Sequence, residues 1–300
     1  MLNFKDSIFE GAETGGNLII MLDKHKENNR KTKILEISNL EHFTERINYS
    51  FIEQKLFKED DGCRFNIEFT DNTLIDKITS NTIPLGNIVK FYQGIITGDN
   101  DKFIVKKKSH ALHEPILRGR DINKYCYSFD ENFVLFDPKK LWSNTNEKMF
   151  RVKEKIINRQ TGSQLIGAYD NKGYFSLDST HVQVLVDQNY SIKFILAFFN
   201  SKLLNYYYNN RVNESGRVFA QVKIVVLKIL PIKMATASEQ APFIEIVDKI
   251  LAITKSSDYL ENSVKQKQVK EYEGRIDRMI YKLYELTPEE IEIVENSIKK

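Results

Sequence analysis

Three short stretches of this 300-residue chain gather side chains able to hold a polyanion. PILRGRDINKY (115–125) sets Arg118, Arg120 and Lys124 around Gly119, and NRQTG (158–162) sets Arg159, Gln160 and Thr161 before Gly162. IITGDNDK (95–102) sets Thr97, Asn100 and Lys102 about Gly98. A guanidinium fork matches phosphate oxygens or the O6/N7 edge of guanine, and a Gln amide matches adenine, in the major groove. A Thr-Gly step occurs in the last two stretches, and glycine there permits a positive φ and a close approach of the backbone. A solvated turn would read the same way, with Arg118 and Arg120 paired to Asp121 or Glu114 as surface ion pairs.

The usual signatures of catalysis are absent. No GxGxxG, no GxxxxGK[ST], no GxSxG and no HExxH occurs in the chain. His110 and His113 form HALH without a third ligand at a useful spacing, and a zinc site needs three or four. Glu53-Gln54-Lys55 and Asp170-Asn171-Lys172 have the spacing of some metal-nuclease triplets but lack a preceding Pro-Asp element. The expectation is no catalytic and no metal-binding residue. Cys63 and Cys126 make no CxxC and no disulfide framework, which suits a reducing compartment. With no apolar run of about 18 residues and early acidic residues in MLNFKDSIFEGAE, the chain is expected to be cytoplasmic and free of the membrane.

Charge is unevenly spread. Residues 80–234 hold 23 Lys/Arg against 13 Asp/Glu, a net of +10, between flanks of −4 (1–79) and −3 (235–300). A basic middle between acidic flanks points to an anionic partner.

The elements that must position these residues follow from apolar periodicity. NLIIML (17–22) reads as a buried strand and TKILEI (32–37) as a second, with the charged DKHKENNRK between them as a hairpin connector. Residues 40–57 read as helical, EDDG (59–62) as a breaker, and Thr70 or Asp71 as the cap of a short helix over TLIDKITS. The middle is β-rich: VKFYQGIITGDNDKFIV, NFVLFDP, EKIINRQTG, GYFSLDSTHVQVLV and VFAQVKIVVLKILPI are β-branched and aromatic runs between turn residues. Strand patterning assigns their aromatics, Phe91, Tyr92, Phe103, Tyr125, Tyr127, Tyr169, Tyr174 and Phe175, to the core. One helix, 190–210, interrupts them. Beyond Pro231 the pattern is helical: Phe243, Val247, Ile250 and Leu251 share one face, and Leu260, Val264, Tyr272, Ile276, Met279, Ile280 and Leu283 another. Thr287, Pro288 and Glu290 read as N-cap, first helical residue and capping-box partner.

Six segments in one order resemble the target-recognition domain of TaqI-like and type IIG adenine-specific DNA methyltransferases. They are IPLGNIVKFYQGIITGDNDKFIV, PILRGRDINKY, KIINRQTGSQLIGAYDNKGYFSLDSTHV, ILAFFNSKLLNYYYNN, GRVFAQVKIVVLKILPI and RIDRMIYKLYELTPEEIEIVE, spanning about residues 80–300. The N-terminal IFEGAETGGNLIIML and TKILEI resemble, more loosely, the last strands of the catalytic domain. The resemblance implies an α+β fold. Residues 1–79 would be the end of a methyltransferase-like domain, a remnant β-hairpin, plus a linker. Residues 80–234 would form the recognition domain and 235–300 a helical spacer or packing segment. It implies double-stranded DNA as partner, together with a methyltransferase catalytic subunit or domain. The family's Asn-Pro-Pro-Tyr-type motif is missing, since no two prolines are adjacent, and so is its glycine-rich S-adenosylmethionine loop. S-adenosylmethionine is therefore expected in a separate catalytic domain, with no cofactor in this chain. The residues expected at DNA are Thr97, Asn100, Lys102, Arg118, Arg120, Lys124, Arg159, Gln160 and Thr161. The competing expectation is a protein-interaction subunit that docks a partner through the apolar face of its C-terminal helices.

Overall fold

The computed structural model describes residues 1–4, 17–22, 24, 30–37, 50–54, 72–211 and 221–297. They fall into two compact units, Met1–Asn72 and Thr73–Lys300.

The first unit holds a sheet of β1 (Leu2–Phe4), β2 (Asn17–Ile19), β3 (Lys31–Ile37) and β4 (Ser50–Glu53) in the order β2-β1-β3-β4. Ile34 and Leu35 of β3 are buried. The expected β2–β3 hairpin is not formed. Instead β1 lies between the two, antiparallel to β2 and parallel to β3, and the Leu35 amide bonds the Met1 carbonyl at 3.0 Å. Ile20, Met21 and Leu22 lie beyond β2 and are exposed, so NLIIML is not one buried strand. Residues 50–53 pair with the other edge of β3 rather than continuing a helix, because an open strand edge favours the extended form of SFIE. Residues 40–49 and 55–57, the EDDG breaker and Thr70 and Asp71 lie outside the described residues.

The second unit opens with α1 (Asn72–Thr79), β5 (Thr82–Pro84) and α2 (Leu85–Ile88). Then come β6 (Val89–Gln93), α3 (Asn100–Phe103), β7 (Ile104–Val105), β8 (His113–Leu117), β9 (Phe133–Leu135) and α4 (Glu147–Phe150). The last strands of the middle are β10 (Lys155–Arg159), β11 (Gly167–Asp170), β12 (Phe175–Ser176) and β13 (Thr180–Leu185). One sheet is antiparallel throughout, in the order β11-β10-β13-β6, and a second runs β12-β8-β9-β7. Side chains alternate across the first sheet. Val182 of β13 packs with Ile116, Val134, Phe136, Phe150 and Phe175 in one core. Val89, Phe91 and Ile156, on the opposite face, join the core of the helical layer. The β-rich middle and the core placement of its aromatics hold: Phe91, Phe103, Tyr125 and Phe175 are buried, and Tyr92, Tyr127, Tyr169 and Tyr174 pack half-buried beside them.

The helical layer departs from expectation in three places. The single helix over 190–210 is two, α5 (Ile192–Phe199) and α6 (Lys202–Arg211). Asn200, between them, clamps the β11 edge: its Oδ1 accepts the Gly167 amide at 2.8 Å and its Nδ2 donates to the Gly167 carbonyl at 3.0 Å. KIVVLK, read as strand, is helix α7 (Ile224–Lys228), where burial of Val226 and Leu227 outweighs β-branched propensity. The chain then returns to strand in β14 (Pro231–Lys233), paired with β5, before α8 (Ala237–Thr254). Thr236 and Glu239 cap α8 reciprocally. Phe243, Val247, Ile250 and Leu251 are buried on it as read. On α9 (Ser263–Leu283) the buried stripe starts at Val269 and continues through Ile276 and Ile280, whereas Leu260 and Val264 are exposed. α10 (Pro288–Ser297) begins with the expected capping box, the Thr287 amide on Glu290 at 2.7 Å and the Glu290 amide on Thr287 at 3.3 Å. One core runs from Leu74 of α1 to Val294 of α10.

Candidate nucleic-acid interface

Strand register brings the polar turns to one end of the first sheet. Arg159, the last residue of β10, lies opposite Thr180, and Gln93, the last of β6, lies opposite His181. The loops leaving β6 and β10 therefore emerge on either side of the tight link between β12 and β13. That link bonds both. The Gly94 amide meets the Thr180 carbonyl at 3.1 Å, and the Asp178 amide meets the Ile95 carbonyl at 3.0 Å. On the other side the Gln160 amide donates to the Ser179 carbonyl at 2.9 Å, and the Gly119 amide to Ser179 Oγ at 2.9 Å. The approach at Gly94 is so close that a Cβ there would lie 2.0 Å from the Leu177 carbonyl oxygen. Both Thr-Gly turns use the expected backbone, with φ +82 at Gly98 and +142 at Gly162.

Arg159 fastens two of the stretches together. Its Nε donates to the Ile122 carbonyl at 2.6 Å and its Nη2 to Asn123 Oδ1 at 3.4 Å. Arg118 is half-buried, and its Nε is enclosed with no hydrogen-bond partner among the described residues. The Arg118 amide donates to Asp121 Oδ2 at 2.7 Å, and burial pushes the Asp121 carboxyl above its ordinary range. Arg120 is 65% exposed, 3.8 Å from Asp121 and 3.6 Å from Asp130, too long for hydrogen bonds. Thr161 is exposed and bridges to Gln221, and the Gln160 carbonyl accepts the Val222 amide at 2.7 Å. Lys124 is half-buried, its charge acting on Glu273 and Asp277 of α9. The next residue, Tyr125, is 2% exposed with φ +66, and its amide bonds the Gly167 carbonyl at 2.8 Å. A bulky residue with positive φ marks a backbone held by its surroundings.

At the first Thr-Gly turn, Thr97 is buried. Its Oγ1 donates to Asn100 Oδ1 at 2.7 Å and accepts the Asp99 amide at 3.2 Å. Asn100 and Lys102 are exposed on α3. The structure thus joins Arg118, Arg120, Arg159, Gln160 and Thr161 through Ser179 and the 122–123 carbonyl edge, pairs Thr97 with Asn100, and turns Lys124 toward α9.

Several residues escaped the sequence reading. Ser179 is the hydroxyl that ties Gly119 to the sheet end, and a Ser in a β-turn gives no sequence signal for that. Trp142, the chain's single tryptophan, is 77% exposed beside an open cavity of about 460 Å³ at the first Thr-Gly turn. The available signal was its setting, KKLWS, an aromatic two residues after a basic pair. Asp170 of the second triplet is buried against Lys155 and accepts the amides of Lys172 and Tyr174, so it holds a turn. His113 Nδ1 accepts the amides of Ser109 and His110, which makes the HALH pair a turn element. Among the described residues no three His, Cys, Asp or Glu side chains gather to hold a metal ion, and no helix is long and apolar enough to cross a membrane.

Residues 114–232 match the model of the TaqI-like C-terminal specificity domain. Among solved structures, the chain is similar to the type IIL restriction–modification enzyme MmeI in complex with DNA, at 11% identity and TM-score 0.48 over 87% of this chain. It is also similar to the type IIG restriction endonuclease BpuSI, at 10% identity and TM-score 0.43 over 87% of this chain. The HsdS subunit from Thermoanaerobacter tengcongensis matches 70% of this chain at 9% identity and TM-score 0.37. The chain spans 39% of the MmeI chain, 40% of the BpuSI chain and 49% of the HsdS chain. A search of the curated proteins finds no match.

Proposed function

We propose, from the premise that residues 114–232 are a TaqI-like C-terminal specificity domain, that this chain reads a sequence in double-stranded DNA for a restriction–modification system. In this reading residues 80–234 recognise DNA, 235–300 brace that part, and 1–79 are the end of a methyltransferase-like domain with its linker. Adenine-N6 methylation belongs to a catalytic domain or subunit that binds S-adenosylmethionine and holds the flipped base. The chain acts in the cytoplasm.

The observation that carries the reading is the convergence of loops 94–98, 118–124 and 159–162 on the Leu177–Thr180 link, at one end of a rigid sheet. A scaffold of this kind can present short polar loops to a groove without losing their geometry. Arg120 and Lys102 serve phosphates; Arg118, Arg159, Gln160 and Thr161 serve base edges; Thr97 and Asn100 set the tip of the first turn; Lys124, turned toward α9, braces the 118–124 loop from behind. The test is selection from a randomised duplex pool at two salt concentrations, with sequencing of the bound fraction. An enriched motif containing adenine, and affinity that falls steeply with salt, is the expected result. No binding at low salt overturns the reading and leaves the protein-interaction alternative.

A further inference from the structure

The cavity at the first Thr-Gly turn has a chemistry of its own. It is a shallow, open depression of about 460 Å³, and its lining includes Thr97, Asp99, Lys102, Phe103, Lys140 and Trp142. The Trp142 indole packs beside Gly98, whose added Cβ would lie 3.5 Å from the ring. The strap holding it is rigid: the Trp142 and Ser143 amides both bond the Ile96 carbonyl, at 3.0 and 3.1 Å. The Trp142 side chain is 77% exposed, leaving a flat aromatic surface outward.

Charge selects the occupant. Lys102 is exposed, with its Nζ 5.4 Å from the Phe103 ring centre, and Lys140 is 65% exposed with its Nζ 3.2 Å from Asp137. The acidic lining residue, Asp99, is engaged as the cap of α3, accepting the Lys102 amide at 3.1 Å. An outward indole beside the Lys102 ammonium, with Lys140 shared between this lining and Asp137, suits a group that is planar and aromatic at one end and anionic at the other. That is a nucleotide out of its stack, with the base on Trp142 and the phosphate between Lys102 and Lys140. The turn is bonded to the same sheet end as Arg159 and Gln160, through Ile95, Ser176 and Asp178. The cavity turn and the Arg159–Gln160 loop are thus tied to the same link.

We infer that Trp142, with Lys102 and Lys140, forms a subsite for one unstacked nucleotide of the bound DNA. It rests on the DNA reading above. The chain then binds duplexes carrying an unpaired nucleotide more tightly than fully paired ones.

The test uses the full chain and three fluorescein-labelled probes: a paired duplex, the same duplex with one extra unpaired nucleotide, and that duplex with an abasic residue in its place. Anisotropy measures binding, and emission of the single tryptophan reports the subsite directly. The expected result is quenched tryptophan emission with the unpaired nucleotide and weaker binding of the abasic probe. In W142A, preference for the unpaired base falls by about five- to a hundred-fold while paired-duplex binding is retained. K102Q and K140Q should weaken all three probes with a reduced salt slope. Binding of all three probes with equal affinity, unquenched and unchanged in W142A, overturns the subsite and leaves the DNA reading intact. Absence of binding to any probe overturns both.

Discussion

Arg120 and Arg159 carry the same guanidinium in opposite situations. Arg120 is 65% exposed with two long, weak ion pairs, so it can be removed at little structural cost. R120A should lower duplex affinity and reduce the slope of log affinity against log salt by about one unit, with an unchanged melting temperature. Arg159 holds the Ile122 carbonyl and Asn123, so R159A removes a brace as well as any base contact. It should destabilise the fold by about 1–3 kcal/mol in urea titration and weaken binding in parallel. Gln160 bonds Ser179 and Val222 through its main chain, so the loop geometry does not depend on its side chain. Q160A should relax selection at one base position, by about 1–3 kcal/mol, with stability unchanged.

At the scale of elements, the interface depends on how tightly the β12–β13 link is gripped. Gly94 lies directly under the Leu177 carbonyl, and a methyl group there must push the two loops apart. G94A should cost at least about 1–3 kcal/mol of stability and reduce binding beyond that loss, as read by denaturant midpoint and anisotropy. At the other end of the sheet, Lys155 and Asp170 form a fully buried ion pair, with Lys155 also donating to the Phe150 carbonyl at 2.6 Å. Burial pushes the Lys155 ammonium down, while Asp170 pulls it up. Asp170 in turn orders the turn between β11 and β12 through the amides of Lys172 and Tyr174. K155M leaves that carboxylate buried without its cation and should lower the unfolding free energy by roughly 3–5 kcal/mol.

Across the second unit, Asp277 and His181 are buried groups whose pH responses oppose one another. Burial raises the Asp277 carboxyl from 3.8 to about 6, against the Lys202 amide it accepts at 3.0 Å. Between those values the folded state keeps a proton that the unfolded state has released, so this contribution to stability falls as pH rises from about 4 to 6. Burial lowers the His181 imidazole from 6.5 to about 4, so the unfolded state takes the proton first. The His181 contribution is therefore full above about 6.5 and is lost as pH falls toward 4. Glu273, raised as Asp277 is, stays in place in both proteins compared. D277N removes one opposing group, so its stability should rise with pH between 4 and 6 more steeply than that of the parent. The difference should be of order 2 kcal/mol in urea midpoints at the two ends of that range. An unchanged slope would show that Asp277 is not buried as a proton-holding carboxyl.

What was legible in the residues alone is whatever depends on near neighbours. The α10 capping box was readable because Thr287, Pro288 and Glu290 act within one turn. The β-rich middle was readable because alternation is a local pattern, and the basic middle because charge is additive. Glycine at the two Thr-Gly turns also declared its backbone, as Gly98 and Gly162 confirm. Tertiary structure decided the rest. KIVVLK is helical because the core needs Val226 and Leu227 there, and 190–210 is broken because Asn200 must reach Gly167. The insertion of β1 between β2 and β3 is a matter of distant strand pairing. The candidate site shows the same division: the residue types at 118–124 and 159–161 suggested an anionic partner. Their meeting around Ser179, and the outward indole of Trp142, arise from register and close packing between segments far apart in the chain, which no local spacing encodes.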